Sequence, residues 1–333
     1  MTDPSLSRPI KPNWKKNPWI LIPLIIVILL VPPILSLRVM SMAGPLTENK
    51  TVVIPHGTSI HGIATLLDNN NVVLSPFVFR IAARLIAGDQ LQAGEYEFPA
   101  KESIADIVVM MHEGHSVVHL FTVAEGLTSA EIKELLRNSP ALTGDILVPP
   151  EGSLLPETYR YSYGDSRAAL VTRMQKSMQE ALSELWTKRD MSIPLKSPEE
   201  AVIMASMIEK ETGKPVERPR IAGVFYNRLR QNMRLQSDPT VIYAIVHAKG
   251  SLDRDLTHDD LAFVSPYNTY TSDGLPPTPI CNPGKAAIDA ALHPEQNDFL
   301  YFVADGTGGH SFAKNLAAHN QNVTKWTQIK PKP

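Results

Sequence analysis

An uninterrupted apolar run near the start of the chain dominates its hydrophobic pattern. The run, NPWILIPLIIVILLVPPILSL, covers 17–37 without a charged residue. As a helix it would reach roughly 30 Å, enough to cross the hydrocarbon core of a bilayer. Because four cationic residues precede the run and few follow it, the positive-inside rule places the N-terminus in the cytoplasm. The pattern therefore predicts a cytoplasmic tail over 1–16, a single transmembrane anchor over 17–38 and an exported body.

A cleaved signal peptide is the alternative interpretation of the same run. Ser41–Ala43 has the small-x-small pattern of a signal-peptidase site. The apolar run is longer than the core of an ordinary signal peptide, which favours a retained anchor. Residues 39–50 are then expected to form a short tether.

The region 51–122 alternates between strand-like and helix-like patterns and is predicted to form a small α+β subdomain. Val52–Ile54 are β-branched, which favours a strand, and the Thr-Ser pair that follows can cap a helix. A second helix ends at Gly88, and AGEYEFPA then alternates like a strand. The order strand–helix–helix–strand is that of compact glycan-binding modules of the LysM type. We expect a LysM-like subdomain, with a plain interaction or spacer domain as the alternative.

The remaining sequence, 123–330, is predicted to form a larger domain of helices and short strands. Thr128 and Glu131 have the spacing of a capping box at the start of a helix. A long amphipathic helix follows over SRAALVTRMQKSMQEALSELWTKR. The next helix, SPEEAVIMASMIEKETG, begins at a capping serine and ends at a glycine.

After these helices the composition changes toward loops. The stretch SPYNTYTSDGLPPTPICNPG has few core residues, and its rings and amides would suit the contact of a sugar. A strand, a turn and a histidine follow in FLYFVADGTGGHSF, and a helix closes the chain. The predicted fold class is α+β, with a single N-terminal transmembrane helix, the LysM-like subdomain and a mixed helical and strand domain.

The helix over Met204–Gly213 ends in two carboxylates, Glu209 and Glu211. At 100° per residue, Glu211 continues the apolar stripe of Met204 and Ile208. Glu209 lies about 200° around the axis, so the two acids cannot face one cleft. Burial against the stripe and the negative end of the helix dipole should both raise the pKa of Glu211, as a general acid requires.

Each glutamate also has a plainer interpretation, because helical glutamates are often solvated or form structural ion pairs. Glu209 is the better candidate for such a pair, with Arg218, Arg220 or Arg228 as its partner. Glu211 is the candidate for catalysis, as a carboxyl that keeps its proton at neutral pH.

Charge and composition argue against several classes of function. A formal net charge of −2 over 333 residues gives no electrostatic reason to expect nucleic-acid binding. The single cysteine, Cys281, excludes an internal disulfide and is expected to be a small buried or loop residue. The histidines His258, His293, His310 and His319 lack a helical i, i+4 pair, so no metal site is predicted. A serine hydrolase is disfavoured because no G-x-S-x-G motif is present.

Several long blocks follow one another in the second region. They are EGSLLPETYRY, ASMIEKET, FYNRLRQNMRLQSDPTVIYA, YNTYTSDGLPPTPICNPG, and FLYFVADGTGGHSF followed by AAHN. In this order they resemble the YceG-like family of endolytic murein transglycosylases, and the similarity extends over nearly the whole chain.

The resemblance implies a lytic transglycosylase that cleaves the β-1,4 bond between N-acetylmuramic acid and N-acetylglucosamine within glycan strands. The catalytic acid of the family matches the second glutamate of the E-K-E-T motif, which is Glu211. Its proton would pass to the leaving oxygen, and the 6-hydroxyl of muramic acid would then attack to give a 1,6-anhydro end. Ordinary glycosidases need a second carboxylate, whereas this reaction needs one carboxyl and no cofactor.

The resemblance also implies which further residues line or shape the cleft. The expected substrate-binding residues are Asn227, Gln236, Asp238, Tyr267, Asn268, Tyr270 and His319. Residues Gly274, Pro276, Pro277 and Asn315 are expected to shape the same cleft. A packing or turn role is the alternative for each of them.

Partners and location follow from the resemblance and from the predicted anchor. The expected partners are peptidoglycan glycan strands and peptidoglycan synthases, with no nucleic acid. The expected location is the bacterial inner membrane, single-pass, with the catalytic domain outside the cytoplasm. Cleavage of nascent strands would terminate glycan elongation. The alternatives are a non-catalytic wall-binding scaffold for synthases, and a hydrolase that uses Asp238 as a second carboxylate.

Overall fold

The computed structural model describes residues 34–246 and 252–329, together with Ile25, Val27 and Val31. The chain divides into two compact units, Met1–Val117 and Val118–Pro333. Helices and short antiparallel strand pairs occur in both units, which is the α+β mixture that the sequence predicts.

The predicted single N-terminal transmembrane helix is contradicted. Among the residues that the structure describes, no helix has both the length and the apolar composition needed to cross a membrane. Much of 17–38 and all of 1–16 lie outside the described residues. The helical stretch 34–40 would extend only about 10 Å. The predicted inner-membrane location depended on that helix and is contradicted as well.

Beyond the helical stretch 34–40, the described part of the first unit contains two strands and three helices. In chain order these are β1 (Lys50–Ile54), α1 (Ile60–Asn69), α2 (Pro76–Ala87), β2 (Gly94–Phe98) and α3 (Ile104–Glu113). Strands β1 and β2 pair antiparallel, with Val52 opposite Tyr96. The predicted order strand–helix–helix–strand is thus confirmed.

Local sequence signals explain where these elements begin and end. The side chains of Ser59 and Ser75 accept backbone N–H hydrogen bonds and so cap α1 and α2. Gly88 ends α2 in the left-handed conformation that glycine adopts most readily. Tyr96 and Phe98 lie on one face of β2 and are fully buried, as their alternation predicts.

The second unit is larger and contains most of the helices. In chain order its elements are β3 (Val118–Thr122), α4 (Ser129–Arg137), β4 (Thr158–Ser162), α5 (Arg167–Thr187), α6 (Pro198–Glu211), α7 (Arg218–Arg230), α8 (Asp238–Val246), α9 (His258–Leu261), α10 (Lys285–Leu292), β5 (Tyr301–Ala304), β6 (His310–Ala313) and α11 (Leu316–Ile329). Strand β3 pairs antiparallel with β4, and β5 pairs antiparallel with β6. The predicted capping box of Thr128 and Glu131 is present at the start of α4.

Helix α6 lies at the centre of the core of the second unit. Its residues 201–208 are all buried, and it packs against α5, α7, α8 and most extensively α10. Met204, Met207 and Ile208 are fully buried, and each such side chain contributes roughly 1.5–3 kcal/mol relative to exposure. This packing fixes the last turn of α6 and with it the position of Glu211.

Cys281 lies in the segment between α9 and α10 and is fully buried. Its sulfur lies 3.4 Å from the carbonyl oxygen of Ser206, to which the thiol donates. Burial raises the pKa of the thiol well above its ordinary value. The expectation of a small buried residue is confirmed.

Candidate active site

The side chains of Glu209 and Glu211, in the last turn of α6, contact different partners, as the helical stripe predicts. Oε1 of Glu209 accepts a hydrogen bond from Arg218 at 2.6 Å, and its Oε2 accepts the backbone N–H of Gly284 at 3.0 Å. The side chains of Glu209 and Arg218 are only 5% and 7% exposed. Glu125 is a second acceptor for Arg218, at 3.2 Å. The predicted ion pair of Glu209 is thus confirmed, and of the three arginines considered its partner is Arg218.

The carboxyl of Glu211 has a very different environment. Oε1 accepts a short hydrogen bond from the hydroxyl of Ser237. Burial raises the pKa of Glu211 to about 7, and the charge of Asp238 adds to the rise. The bond from Ser237 and the charge of Arg228 act in the opposite direction. The predicted rise is confirmed, so this carboxyl keeps its proton to a higher pH than an ordinary glutamate does.

Glu211 lines an open cleft of about 490 Å³. The other lining residues are Thr212, Gly213, Ala304, Gly306, Gly308, Gly309, His310, Trp326 and Ile329. Since four of these nine are glycines, backbone forms much of the wall and leaves room for a bulky ligand beside the carboxyl.

The turn between β5 and β6 forms one side of this cleft. Gly306 and Gly308 have φ values of +84° and +78°, which favour glycine. The carboxylate of Asp305 accepts hydrogen bonds from the N–H and hydroxyl of Thr307, both at 2.8 Å. A Cβ at Gly309 would lie 2.5 Å from Oε1 of Glu217, so a larger residue there would displace this carboxylate. The turn is therefore a compact wall whose shape depends on its glycines.

Ser237 immediately precedes α8 and is almost fully buried. Its N–H donates to Oγ1 of Thr269 at 2.9 Å, and its carbonyl accepts the hydroxyl of Thr240 at 2.6 Å. The hydroxyls of Thr240 and Thr269 lie 2.9 Å apart. These contacts hold Ser237 so that its hydroxyl donates to Oε1 of Glu211. The proton of the neutral acid is therefore favoured on Oε2, the oxygen that does not accept this bond.

Asp238 and Tyr270, two of the predicted substrate-binding residues, lie close to Glu211. The hydroxyl of Tyr270 donates to Oδ1 of Asp238 at 2.5 Å. Burial, and then the bond to Asp238, raises the pKa of Tyr270, so this phenol stays protonated and remains a donor. The pair fixes a negative charge near Glu211, which favours the protonated acid.

The three predicted side-chain amides make hydrogen bonds within the protein. Nδ2 of Asn268, fully buried, donates to two backbone carbonyls of its own loop at 3.0 and 2.6 Å. Nδ2 of Asn227 donates to two backbone carbonyls of the segment before β5 at 2.8 and 3.0 Å. Oε1 of Gln236 accepts from Arg228 at 3.3 Å. These contacts hold the loops around the site.

Tyr267 and His319 complete the predicted set. The hydroxyl of Tyr267 lies 2.8 Å from that of Thr278, and its ring is 5.0 Å from the ring of Tyr243. His319 stacks on Tyr301 with ring centroids 5.1 Å apart. Its Nδ1 is buried without a hydrogen-bond partner among the described residues, and burial lowers its pKa.

The seven predicted substrate-binding residues differ from the residues that line the Glu211 cleft. None of the seven is among the described residues that line this cleft. Asp238 acts on the acid through its charge and is held by Tyr270, and the other five residues contact other parts of the chain. Their role toward a substrate stays a prediction.

Ser237 and Glu217 were not singled out from the sequence, and His310 was considered only as a metal ligand. Ser237 stands at the start of a helix, where a serine is ordinarily interpreted as a cap. His310 follows a glycine-rich turn, which is a detectable signal of a close approach between backbone and ligand. Its link to Glu217, at 2.8 Å between Nδ1 and Oε2, joins residues 93 positions apart and could not be found from local patterns.

The described residues offer no metal site. In that part of the chain, no three His, Cys, Asp or Glu side chains are grouped so that they could hold a metal ion.

Comparison with known proteins identifies the family. The model of the YceG-like family matches residues 52–325. The match covers well over half of the sequence, and the chain belongs to the YceG-like family.

Two relatives carry the name endolytic murein transglycosylase. The Bacillus subtilis protein is 32% identical over 318 residues, which cover 85% of this chain and 87% of that protein. The Streptococcus pneumoniae protein is 28% identical over 330 residues, which cover 84% of this chain and 59% of that protein.

A solved structure supports the same family. A YceG-like protein of Listeria monocytogenes, known from its crystal structure, matches with a TM-score of 0.51 and 34% sequence identity. The match covers 82% of this chain and 99% of the Listeria chain.

Proposed function

We propose that this chain is an endolytic murein transglycosylase that cleaves MurNAc-β-1,4-GlcNAc bonds within peptidoglycan strands and leaves 1,6-anhydro-MurNAc ends. Membership of the YceG-like family and the names of the Bacillus and Streptococcus relatives support this activity. The observation that carries the mechanism is the carboxyl of Glu211, at the wall of an open cleft and with its pKa raised to about 7.

In this proposal Glu211 is first a general acid and then a general base. The protonated carboxyl gives its proton to the bridging oxygen as the bond from that oxygen to C1 of the muramyl unit breaks. The 6-hydroxyl of the same unit attacks C1, and the carboxylate of Glu211 takes the proton that leaves this hydroxyl. The acid is regenerated without water, and a pKa near the working pH suits both proton transfers.

Ser237 and Asp238 control the protonation of Glu211 in these two steps. The bond from Ser237 to Oε1 favours the proton on Oε2, so one oxygen is prepared to donate. The same bond stabilises the carboxylate after the proton has left. Asp238, held by Tyr270 at 2.5 Å, opposes that charge and keeps the pKa high.

The hydrolase that uses Asp238 is the alternative to be tested. A retaining or inverting glycosidase would need Asp238 free to act as a nucleophile or to activate water. The bond from Tyr270 to Asp238 favours an electrostatic role for this carboxylate instead.

One experiment separates these functions. The full chain is incubated with uncrosslinked glycan strands in heavy-oxygen water, and the new ends are analysed by mass spectrometry. Anhydro ends without the label are expected. Labelled reducing ends would instead identify a hydrolase, and intact glycan that remains bound would identify a non-catalytic scaffold. The Glu211→Gln variant is the matched control and should leave the glycan intact.

We also propose that residues 51–122 form the LysM-like subdomain and that 123–330 is the catalytic domain. The order strand–helix–helix–strand and the antiparallel pair β1–β2 support the first assignment. Peptidoglycan synthases are the proposed partners, and action on nascent strands would terminate their elongation. Copurification of a peptidoglycan polymerase with the full chain is expected, and its absence after chemical crosslinking would contradict the partnership.

A further inference from the structure

His310 is fixed at two points by one carboxylate. Its backbone N–H donates to Oε1 of Glu217 at 3.1 Å, and its ring Nδ1 lies 2.8 Å from Oε2 of the same residue. The two side chains are only 15% and 13% exposed. Thr212, at the end of α6, also donates to this carboxylate at 3.3 Å. The imidazole therefore has a defined position at the edge of the site.

The partner of Nδ1 decides which nitrogen carries the proton. Burial acts to raise the pKa of Glu217, but the hydrogen bonds from His310 and Thr212, together with the charge that His310 carries when protonated, lower it. Glu217 is therefore ionised at neutral pH and can only accept, so Nδ1 of the neutral ring must be the donor. Nε2 is then an acceptor, and within the described part of the chain no hydrogen bond to it is found.

His310 lines the same cleft as Glu211. Trp326 can only donate a hydrogen bond, and the hydroxyl of Thr212 is already bonded within its own turn. Glu211 carries the proton that the reaction uses. Nε2 of His310 is thus the side-chain acceptor that remains for a ligand among the described lining residues.

We propose that Nε2 of His310 binds a hydroxyl group of the sugar that occupies the Glu211 cleft, and that Glu217 sets the tautomer which makes this possible. A pyranose presents several hydroxyl donors, and an acceptor in a fixed position selects a sugar whose hydroxyl lies at the right place. This inference rests on the proposed function for the class of ligand. It makes His310 a substrate-binding residue and Glu217 a positioning residue.

The test measures binding apart from turnover. The full chain carries Glu211→Gln in every sample, and an uncrosslinked glycan oligosaccharide is titrated by calorimetry. His310→Asn keeps an amide at the position of Nδ1 but has no group at Nε2. His310→Gln can place an amide oxygen near the position of Nε2. The control is His258→Asn, at an exposed residue at the start of α9.

We expect His310→Asn to weaken binding roughly fivefold to fiftyfold. His310→Gln should bind within roughly threefold of the Glu211→Gln parent, and the control should match the parent. Equal binding by parent and His310→Asn would overturn the inference. Equal losses of affinity in His310→Asn and His310→Gln would also overturn it. A merely structural role of His310 would weaken binding to the same extent in both variants.

A second measurement does not depend on whether these variants fold. Nitrogen NMR of the Glu211→Gln chain reports the tautomer of His310 and follows Nε2 during the titration. We expect a proton on Nδ1, and a change at Nε2 when the oligosaccharide binds. A proton on Nε2, or no change on saturation, would reject the assignment. If the unmodified chain formed no anhydro ends, the proposed function would fail while this binding result could still stand.

Discussion

The hydroxyl of Ser237 donates its hydrogen to Oε1 of Glu211, and the backbone around Ser237 is held by Thr240 and Thr269. The position of a single acid at the end of α6 thus depends on a serine 26 residues further along the chain. The bond favours the carboxylate, whereas burial and Asp238 favour the neutral acid. Their balance gives a pKa of about 7.

Ser237→Ala removes the bond that stabilises the carboxylate. We expect the pKa of Glu211 to rise, so the alkaline limb of the pH–rate profile moves to higher pH. Turnover should fall roughly tenfold to hundredfold, because a hydrogen bond to a charged group contributes about 1.5–3 kcal/mol. Ser153→Ala, which removes a hydroxyl bonded to a backbone carbonyl, is the control. An unchanged pH profile in Ser237→Ala would reject this role.

Asp238→Asn keeps an acceptor for Tyr270 but removes a negative charge. The pKa of Glu211 should fall, because its carboxylate is no longer opposed by a second one. Activity at pH 8 should then drop roughly threefold for each half unit that the pKa falls. The measurement is the pH dependence of kcat/KM, with the products analysed for anhydro ends. Loss of all activity at every pH would point to Asp238 as a second catalytic carboxylate.

Glu211→Gln should stabilise the folded protein in alkaline solution. With its pKa raised to about 7, the native state holds a proton that the unfolded chain releases near pH 4.5. Stability is therefore lost as the pH rises from about 4.5 to 7, by about 3 kcal/mol in total. A glutamine at position 211 does not titrate, so the variant does not lose this stability as the pH rises. Chemical denaturation should show the variant to be more stable than the parent at pH 8 and similar at pH 4. No difference at pH 8 would contradict the raised pKa.

Glu209→Gln should damage the fold more than the chemistry. The buried guanidinium of Arg218 would lose its 2.6 Å partner, at a cost of roughly 3 kcal/mol that Glu125 can reduce. Denaturant unfolding measures this cost, and activity per folded molecule should stay close to that of the parent. Glu295→Gln removes the half-exposed pair with Arg220 and should cost less than about 1 kcal/mol. A stable but inactive Glu209→Gln protein would reverse the roles of the two glutamates.

Periodicity was enough to predict most elements and the separation of the two glutamates. The stripe through Met204 and Ile208 predicted which acid would meet an apolar surface, and Glu209 pairs with Arg218, one of the three arginines considered. Caps at Ser59 and elsewhere also matched the structure. These features depend on residues within a few turns of one another, which is the range that a sequence pattern can report.

Contacts between distant parts of the chain were not predictable in this way. The bond from Ser237 to Glu211 and the link of Glu217 to His310 join separate elements, and neither leaves a periodic trace. Asn268, a predicted substrate-binding residue, donates its amide N–H groups to the backbone carbonyls of Leu261 and Phe263. Composition shows that an amide is present but does not show which atoms it will contact.

Cys281 gives this chain a built-in reporter of unfolding. The one thiol is fully buried and donates a hydrogen bond to a backbone carbonyl of α6. Alkylating reagents can therefore reach it only when the helices around α6 separate. The rate of labelling therefore measures how often the part of the chain that carries Glu211 opens. A glycan held in the cleft should slow that labelling in proportion to its occupancy.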